Sequence, residues 1–104
     1  MPDKTLPPDE CETMAEVRAG IDALDAEIVR LLATRFGYMR AAARIKPERG
    51  QVRDEARKAE VIANARAHAD AHAIPAEVVG EIWERLVEGS IAYEFDRWDE
   101  RREG

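Results

Sequence analysis

The chain has 104 residues, 45% hydrophobic and 37% charged, enough apolar material for one modest core and too little length for two. With 22 Asp and Glu against 16 Lys and Arg the formal net charge is -6, which argues against nucleic acid or an anionic membrane surface as the partner. A single cysteine, Cys11, excludes an internal disulfide, and no apolar stretch approaches the ~20 residues a membrane-spanning helix needs.

The opening "MPDKTLPPDE" is acidic and proline-rich, with no basic segment leading into an apolar run, so it reads as neither a signal nor a transit peptide, and a cytoplasmic protein is expected. Residues 1–12 have the composition of a disordered lead-in, and residues 13–104 are read as one helical domain. Thr13-Met14-Ala15-Glu16 has the capping-box form that starts a helix. From there Met14, Val17, Ile21, Leu24, Ile28, Leu31 and Leu32 recur at steps of three and four, and no proline intervenes before Pro47, which predicts a first helix to about Lys46. "PERGQV" supplies Pro47 and Gly50 for a polar loop. A second helix is predicted over roughly 53–72, using Val61, Ile62, Ala65 and Ala69. The third is predicted to open on Pro75, to carry Ile82, Trp83, Leu86, Val87, Ile91, Phe95 and Trp98, and to fray after Trp98.

The expected fold class is therefore all-α, with three helices and a very long first one of ~50 Å at about 1.5 Å per residue. Two shorter helices cannot cover an apolar stripe of that length, so a second copy is expected against it, giving an entwined homodimer. A monomeric three-helix bundle with a bent first helix is the alternative.

Four cations in "RFGYMRAAARIK" interrupt the end of that stripe. Arg35 and Lys46 are eleven residues apart, three helical turns plus about 20°, so they share one face about 16 Å apart and could clasp a small anion. Arg40 and Arg44 lie about 140° and 180° from Arg35 and read as solvated. Arg18 precedes Arg35 by about 26 Å of helix, too far for both to hold one small ligand. Either it pairs with Asp22 on the surface, or it serves the site of the second copy.

"VRAGIDALDAEIVRLLATRFGYMRAAARIK" resembles the first helix of the all-helical chorismate mutases, through Arg18, Ile21, Asp22, Leu24, Asp25, Ile28, Leu31, Leu32, Arg35 and Lys46. "VRDEARK" is similar to the segment after that family's first loop, and "SIAYEFDRW" to the end of its last helix, so the resemblance covers about residues 13–98. The Cys11 start, "GYMRAAARIK" and the aromatic ending are also similar to isochorismate pyruvate lyase, a member of the same fold that makes salicylate.

The resemblance implies a homodimer whose Arg18 crosses into the partner's pocket, a small dicarboxylate substrate carrying an enolpyruvyl ether, and a pericyclic reaction needing no metal and no cofactor. It further implies that Arg18 and Arg35 hold carboxylates, for which the bidentate guanidinium is suited. Lys46 would hydrogen-bond the ether oxygen and a carboxylate, Asp54 and Arg57 would close the loop side, and Ser90 would lie beside the ring or its carboxylate.

Two positions depart from the pattern. Glu94 stands where many bacterial members have a Gln that donates to the ether oxygen. An ionised carboxylate cannot donate, so the competent form is expected to carry Glu94 as the neutral acid, with turnover falling as pH rises. Lys58 stands where the enteric mutases have a Glu on the ring hydroxyl, so hydroxyl recognition, which separates chorismate from isochorismate, falls on the least similar residue. His68 and His72 have a spacing that can bind zinc, but no third ligand is evident. The expected function is rearrangement of chorismate to prephenate in aromatic amino acid synthesis. The alternatives are release of pyruvate from isochorismate and an inactive helical dimerisation or regulatory module.

Overall fold

The computed structural model describes residues 5–103, and they are all-helical: α1 Met14–Ile45, α2 Glu55–Ala71 and α3 Ala76–Glu103, with two 3₁₀ turns at Pro8–Glu10 and Arg49–Gln51. The expected fold class of three helices with a long first one is the one observed. None of these helices is long and apolar enough to cross a membrane. The chain divides into two compact units inside α1, one reaching Arg35 and the other beginning at Phe36.

In the first unit the capping box at the start of α1 is formed reciprocally. The Glu16 N–H donates to Thr13 Oγ1 at 3.1 Å, while Glu16 Oε1 accepts from the Thr13 N–H at 2.9 Å. Residues 1–4, part of the expected disordered lead-in, lie outside the described residues. Further along that segment Pro8–Glu10 forms a 3₁₀ turn, with the Glu10 N–H donating to Pro7 O at 3.0 Å. Two consecutive prolines restrict φ before the turn, which lowers the entropy that ordering costs. Leu6, Pro7 and Cys11 face Val17, Gly20, Ile21 and Leu24 of α1 across an apolar groove of about 450 Å³. Ile21, Leu24, Ile28, Val29 and Leu31 are each half or more exposed.

The second unit holds the core. Val52, Val87 and Ile91 are buried, and Val61, Ile62, Trp83, Phe95 and Trp98 pack around them. Buried Ala65 and Ala69 on α2 and Gly80 on α3 are small residues, which lets two helices approach closely. Asp54 caps α2, its side chain accepting from the Arg57 N–H at 3.0 Å, so this helix begins at Glu55, two residues later than expected. At the other end Ala73 has φ 57°, with the Ile74 N–H on Ala69 O and the Ala73 N–H on Asp70 O. This is the Schellman arrangement, built here without the glycine that usually occupies the left-handed position.

The third helix continues to Glu103 instead of fraying after Trp98. Its last turns are held from outside. Arg102 donates to Ala43 O at 2.8 Å and to Lys46 O at 2.6 Å, and its guanidinium lies 4.1 Å from the Trp98 ring centroid. Fraying requires these bonds to break, and a distant partner cannot be read from local propensity.

Candidate active site

Lys46 is the first residue beyond α1, and its N–H still donates to Ala42 O at 2.9 Å. Pro47 follows and ends the helix there, because the residue before a proline is disfavoured in the helical region. The lysine therefore sits at the mouth of the loop, with its backbone set by the helix and its side chain free to turn towards α3.

On α3, Ser90 and Glu94 are buried polar residues one turn apart. Lys46 Nζ lies 2.8 Å from Glu94 Oε2, with the Glu94 side chain 5% exposed and that of Lys46 30% exposed. The contact is a close charge pair rather than an aligned hydrogen bond, since Glu94 Oε2 has no partner of hydrogen-bond geometry. The Ser90 hydroxyl donates to Leu86 O at 2.7 Å, the usual way a helical serine settles its proton.

Three cations brace the loop and the start of α2 against α3 through four ion pairs. Arg49 makes two bonds to Asp99, at 2.8 and 3.1 Å, with its guanidinium 4.5 Å from the Phe95 ring centroid. Arg53 makes two bonds to Glu88, at 2.8 and 3.1 Å. Lys58 Nζ is 2.7 Å from both Glu84 and Glu88. Arg53, followed by Lys58, holds the Glu88 carboxyl down to about 2, because both donate to its charged form. Within the loop Glu48 and Gln51 cap one another. Lys46 and Asp54 share an open groove with Pro47, Gln51 and Arg53, a wide polar recess on the loop side.

Of the residues expected to form a site, Lys46, Ser90, Glu94 and Asp54 are placed in this region by the loop and by one face of α3. Arg57 is exposed and pairs with Glu60 on its own helix at 2.6 Å, and Lys58 is turned to α3 by its two glutamates. Arg18 and Arg35 belong to the other unit. There Arg35 is half-buried and engaged by a partner, whereas Arg18 is exposed and, among the described residues, makes no ion pair with Asp22 or any other group.

Arg40, read as solvated, is exposed and also donates to the Tyr93 hydroxyl at 2.8 Å, in a cluster where Tyr93 meets Phe36 edge-on and the Arg97 guanidinium. His72 Nδ1 lies 2.9 Å from His68 O, and among the described residues no group of three or more His, Cys, Asp or Glu side chains gathers as a metal site would require. Sequence reasoning missed Trp98 and Arg102 as neighbours of Lys46. Their spacing, four and eight residues beyond Glu94, was the available signal.

Two comparisons bear on this arrangement. The chain is similar to the isochorismate pyruvate lyase of Pseudomonas aeruginosa, with 26% identity over 95 residues that cover 91% of this chain and 94% of that protein. The model of the family described as chorismate mutase type II matches residues 17–95, a span that begins just before Arg18 and ends just after Glu94. On that match, which takes in every residue of the region above except the last turns of α3, the chain belongs to the chorismate mutase type II family.

Proposed function

We propose that this protein is a cofactor-independent enzyme acting on chorismate, and that it rearranges chorismate to prephenate. The observation that carries the reading is the Lys46 ammonium fixed 2.8 Å from buried Glu94, between a polar loop groove and the Ser90 face of α3. An ammonium held in place is what a breaking ether C–O bond requires, since negative charge gathers on that oxygen as the bond lengthens. In the rearrangement the ether C–O bond breaks while a C–C bond forms between the enolpyruvyl methylene and the ring, and no proton leaves the substrate. The protein's work is to fold the side chain over the ring and to stabilise the oxygen.

In this reading Lys46 donates to the ether oxygen, and Glu94, a carboxylate paired with Lys46 in the free protein, donates beside it once it has taken up a proton. Asp54 and Arg57 shape the loop side, Ser90 borders the ring, and Lys58 stands near the ring-hydroxyl position while its two glutamates hold it back. Arg35 holds one carboxylate. Arg18 holds the other from a second copy of the chain, which covers the apolar face of α1. Covering Ile21, Leu24, Ile28, Val29 and Leu31 is worth on the order of 1 kcal/mol each at about 25 cal/mol per Å². The enzyme works in the cytoplasm, in aromatic amino acid synthesis.

The similarity to a protein named isochorismate pyruvate lyase favours a second reading. Here the same ether bond of isochorismate breaks while a ring hydrogen passes to the enolpyruvyl methylene, giving salicylate and pyruvate. The engagement of Lys58 by Glu84 and Glu88 is consistent with either substrate.

Proton NMR of chorismate and of isochorismate, each incubated with the protein at pH 5 and pH 8, separates the two. Prephenate from chorismate, formed faster at pH 5 by the wild type but not by Glu94→Gln, is the expected result. Salicylate and pyruvate with little prephenate establish the lyase instead. No product from either substrate refutes both and leaves a helical dimerisation or regulatory module.

A further inference from the structure

Lys46 is held at both ends by a single face of α3. Its ammonium pairs with Glu94, and its main-chain carbonyl accepts from Trp98 Nε1 at 3.0 Å and from Arg102 Nη2 at 2.6 Å. Glu94, Trp98 and Arg102 follow one another at intervals of four residues, so they line one stripe of the helix. The Arg102 guanidinium is itself fixed, 4.1 Å from the Trp98 ring centroid, with its other arm on Ala43 O at 2.8 Å.

The last carbonyls of any helix lack partners within it, and those of an exposed terminus are ordinarily satisfied by water. Here two side chains converge on one of them, the carbonyl of the residue whose ammonium meets the buried carboxylate. A lysine has four rotatable side-chain bonds, so a fixed Nζ requires a fixed Cα as well as a partner at the tip.

We propose that Trp98 and Arg102 are positioning residues that set the backbone of Lys46 and thereby aim its ammonium. This rests on the reading of Lys46 as the donor to the substrate's ether oxygen. A misplaced ammonium still attracts a dicarboxylate but no longer meets the oxygen in line, so the loss falls on kcat and not on KM. Neither side chain touches the substrate in this scheme.

The test uses the full-length chain and its Arg102→Ala, Arg102→Lys and Trp98→Phe variants; the last removes the indole N–H while keeping an aromatic ring. Two readouts are taken on each. One is the ammonium resonance of Lys46 in protein labelled at lysine, where Lys4 and Lys58 are the only other lysines and serve as internal references. The other is kcat and KM on whichever substrate the wild type converts.

Arg102→Ala and Trp98→Phe are expected to move the Lys46 resonance, leave that of Lys58 in place, and lower kcat about tenfold with KM within about twofold. Arg102→Lys, which can still reach one carbonyl, is expected to recover part of both. A Lys46 resonance unmoved in Arg102→Ala and Trp98→Phe overturns the proposal, whatever happens to kcat. A moved resonance with unchanged kcat also overturns it. If the wild type converts neither substrate, the functional reading fails on that result alone, and the resonance still decides whether the two residues hold Lys46.

Discussion

The Lys46–Glu94 pair is unequally buried, and that asymmetry makes a quantitative prediction. Removing the ammonium by Lys46→Met strands a carboxylate whose side chain is only 5% exposed. Breaking a buried pair from one side costs ~3–5 kcal/mol, and the water that reaches the lysine end places this case near the bottom of that range, about 3 kcal/mol. Glu94→Gln leaves the other partner, and Lys46 is 30% exposed, so its charge remains hydrated. The amide oxygen still accepts a hydrogen bond, and the cost falls to about 1 kcal/mol.

For a domain of this size these figures correspond to melting temperatures lowered by roughly 15 °C and roughly 5 °C. The double substitution Lys46→Met with Glu94→Leu removes both charges and should be less destabilised than Lys46→Met alone by about 2 kcal/mol. Urea unfolding followed by circular dichroism, at one fixed protein concentration because an oligomer's midpoint moves with concentration, reads all three. Glu94→Gln costing as much as Lys46→Met would refute the argument that unequal burial sets the energetics of the pair.

Glu88 carries a pH prediction. Its carboxyl is brought from the ordinary 4.5 to about 2 by Arg53 and then Lys58, so the stability it contributes is complete above pH 4.5 and is lost as pH falls towards 2. Unfolding measured across that interval should show a flatter pH dependence in Glu88→Gln than in the wild type; parallel curves would contradict the assignment. Ala73→Gly should stabilise the chain by about 1 kcal/mol, because Ala73 occupies a left-handed conformation with φ 57° that glycine adopts without a steric cost. A lower melting temperature in that variant would show that the turn is not the one described. If Arg18 serves the site of a second copy, inactive Arg18→Ala and Arg35→Ala chains mixed one to one should regain about a quarter of wild-type activity, since half the dimers then carry one intact site. No regain would place both residues in one chain's site.

The sequence by itself determined the helices and their breaks. Thr13 and Glu16 start α1, Pro47 ends it, and the three-and-four spacing of apolar residues marks the faces between. These are local effects, a matter of backbone groups finding partners within one turn, so the order of residues is enough to place them. The pairing of Lys46 with Glu94 was partly legible, because the resemblance puts both side chains on the substrate's ether oxygen and therefore close to one another.

Only the tertiary structure decided which partner each long cation takes. Lys58 goes to Glu84 and Glu88, Arg40 to Tyr93, and Arg102 to the carbonyls of Ala43 and Lys46. Lysine and arginine side chains reach several ångströms in many directions at little difference in local energy, so their final positions depend on where the next helix stands. The last turn of α3 shows the same dependence. Judged alone it would fray, and it is ordered because its side chains close over the end of another helix.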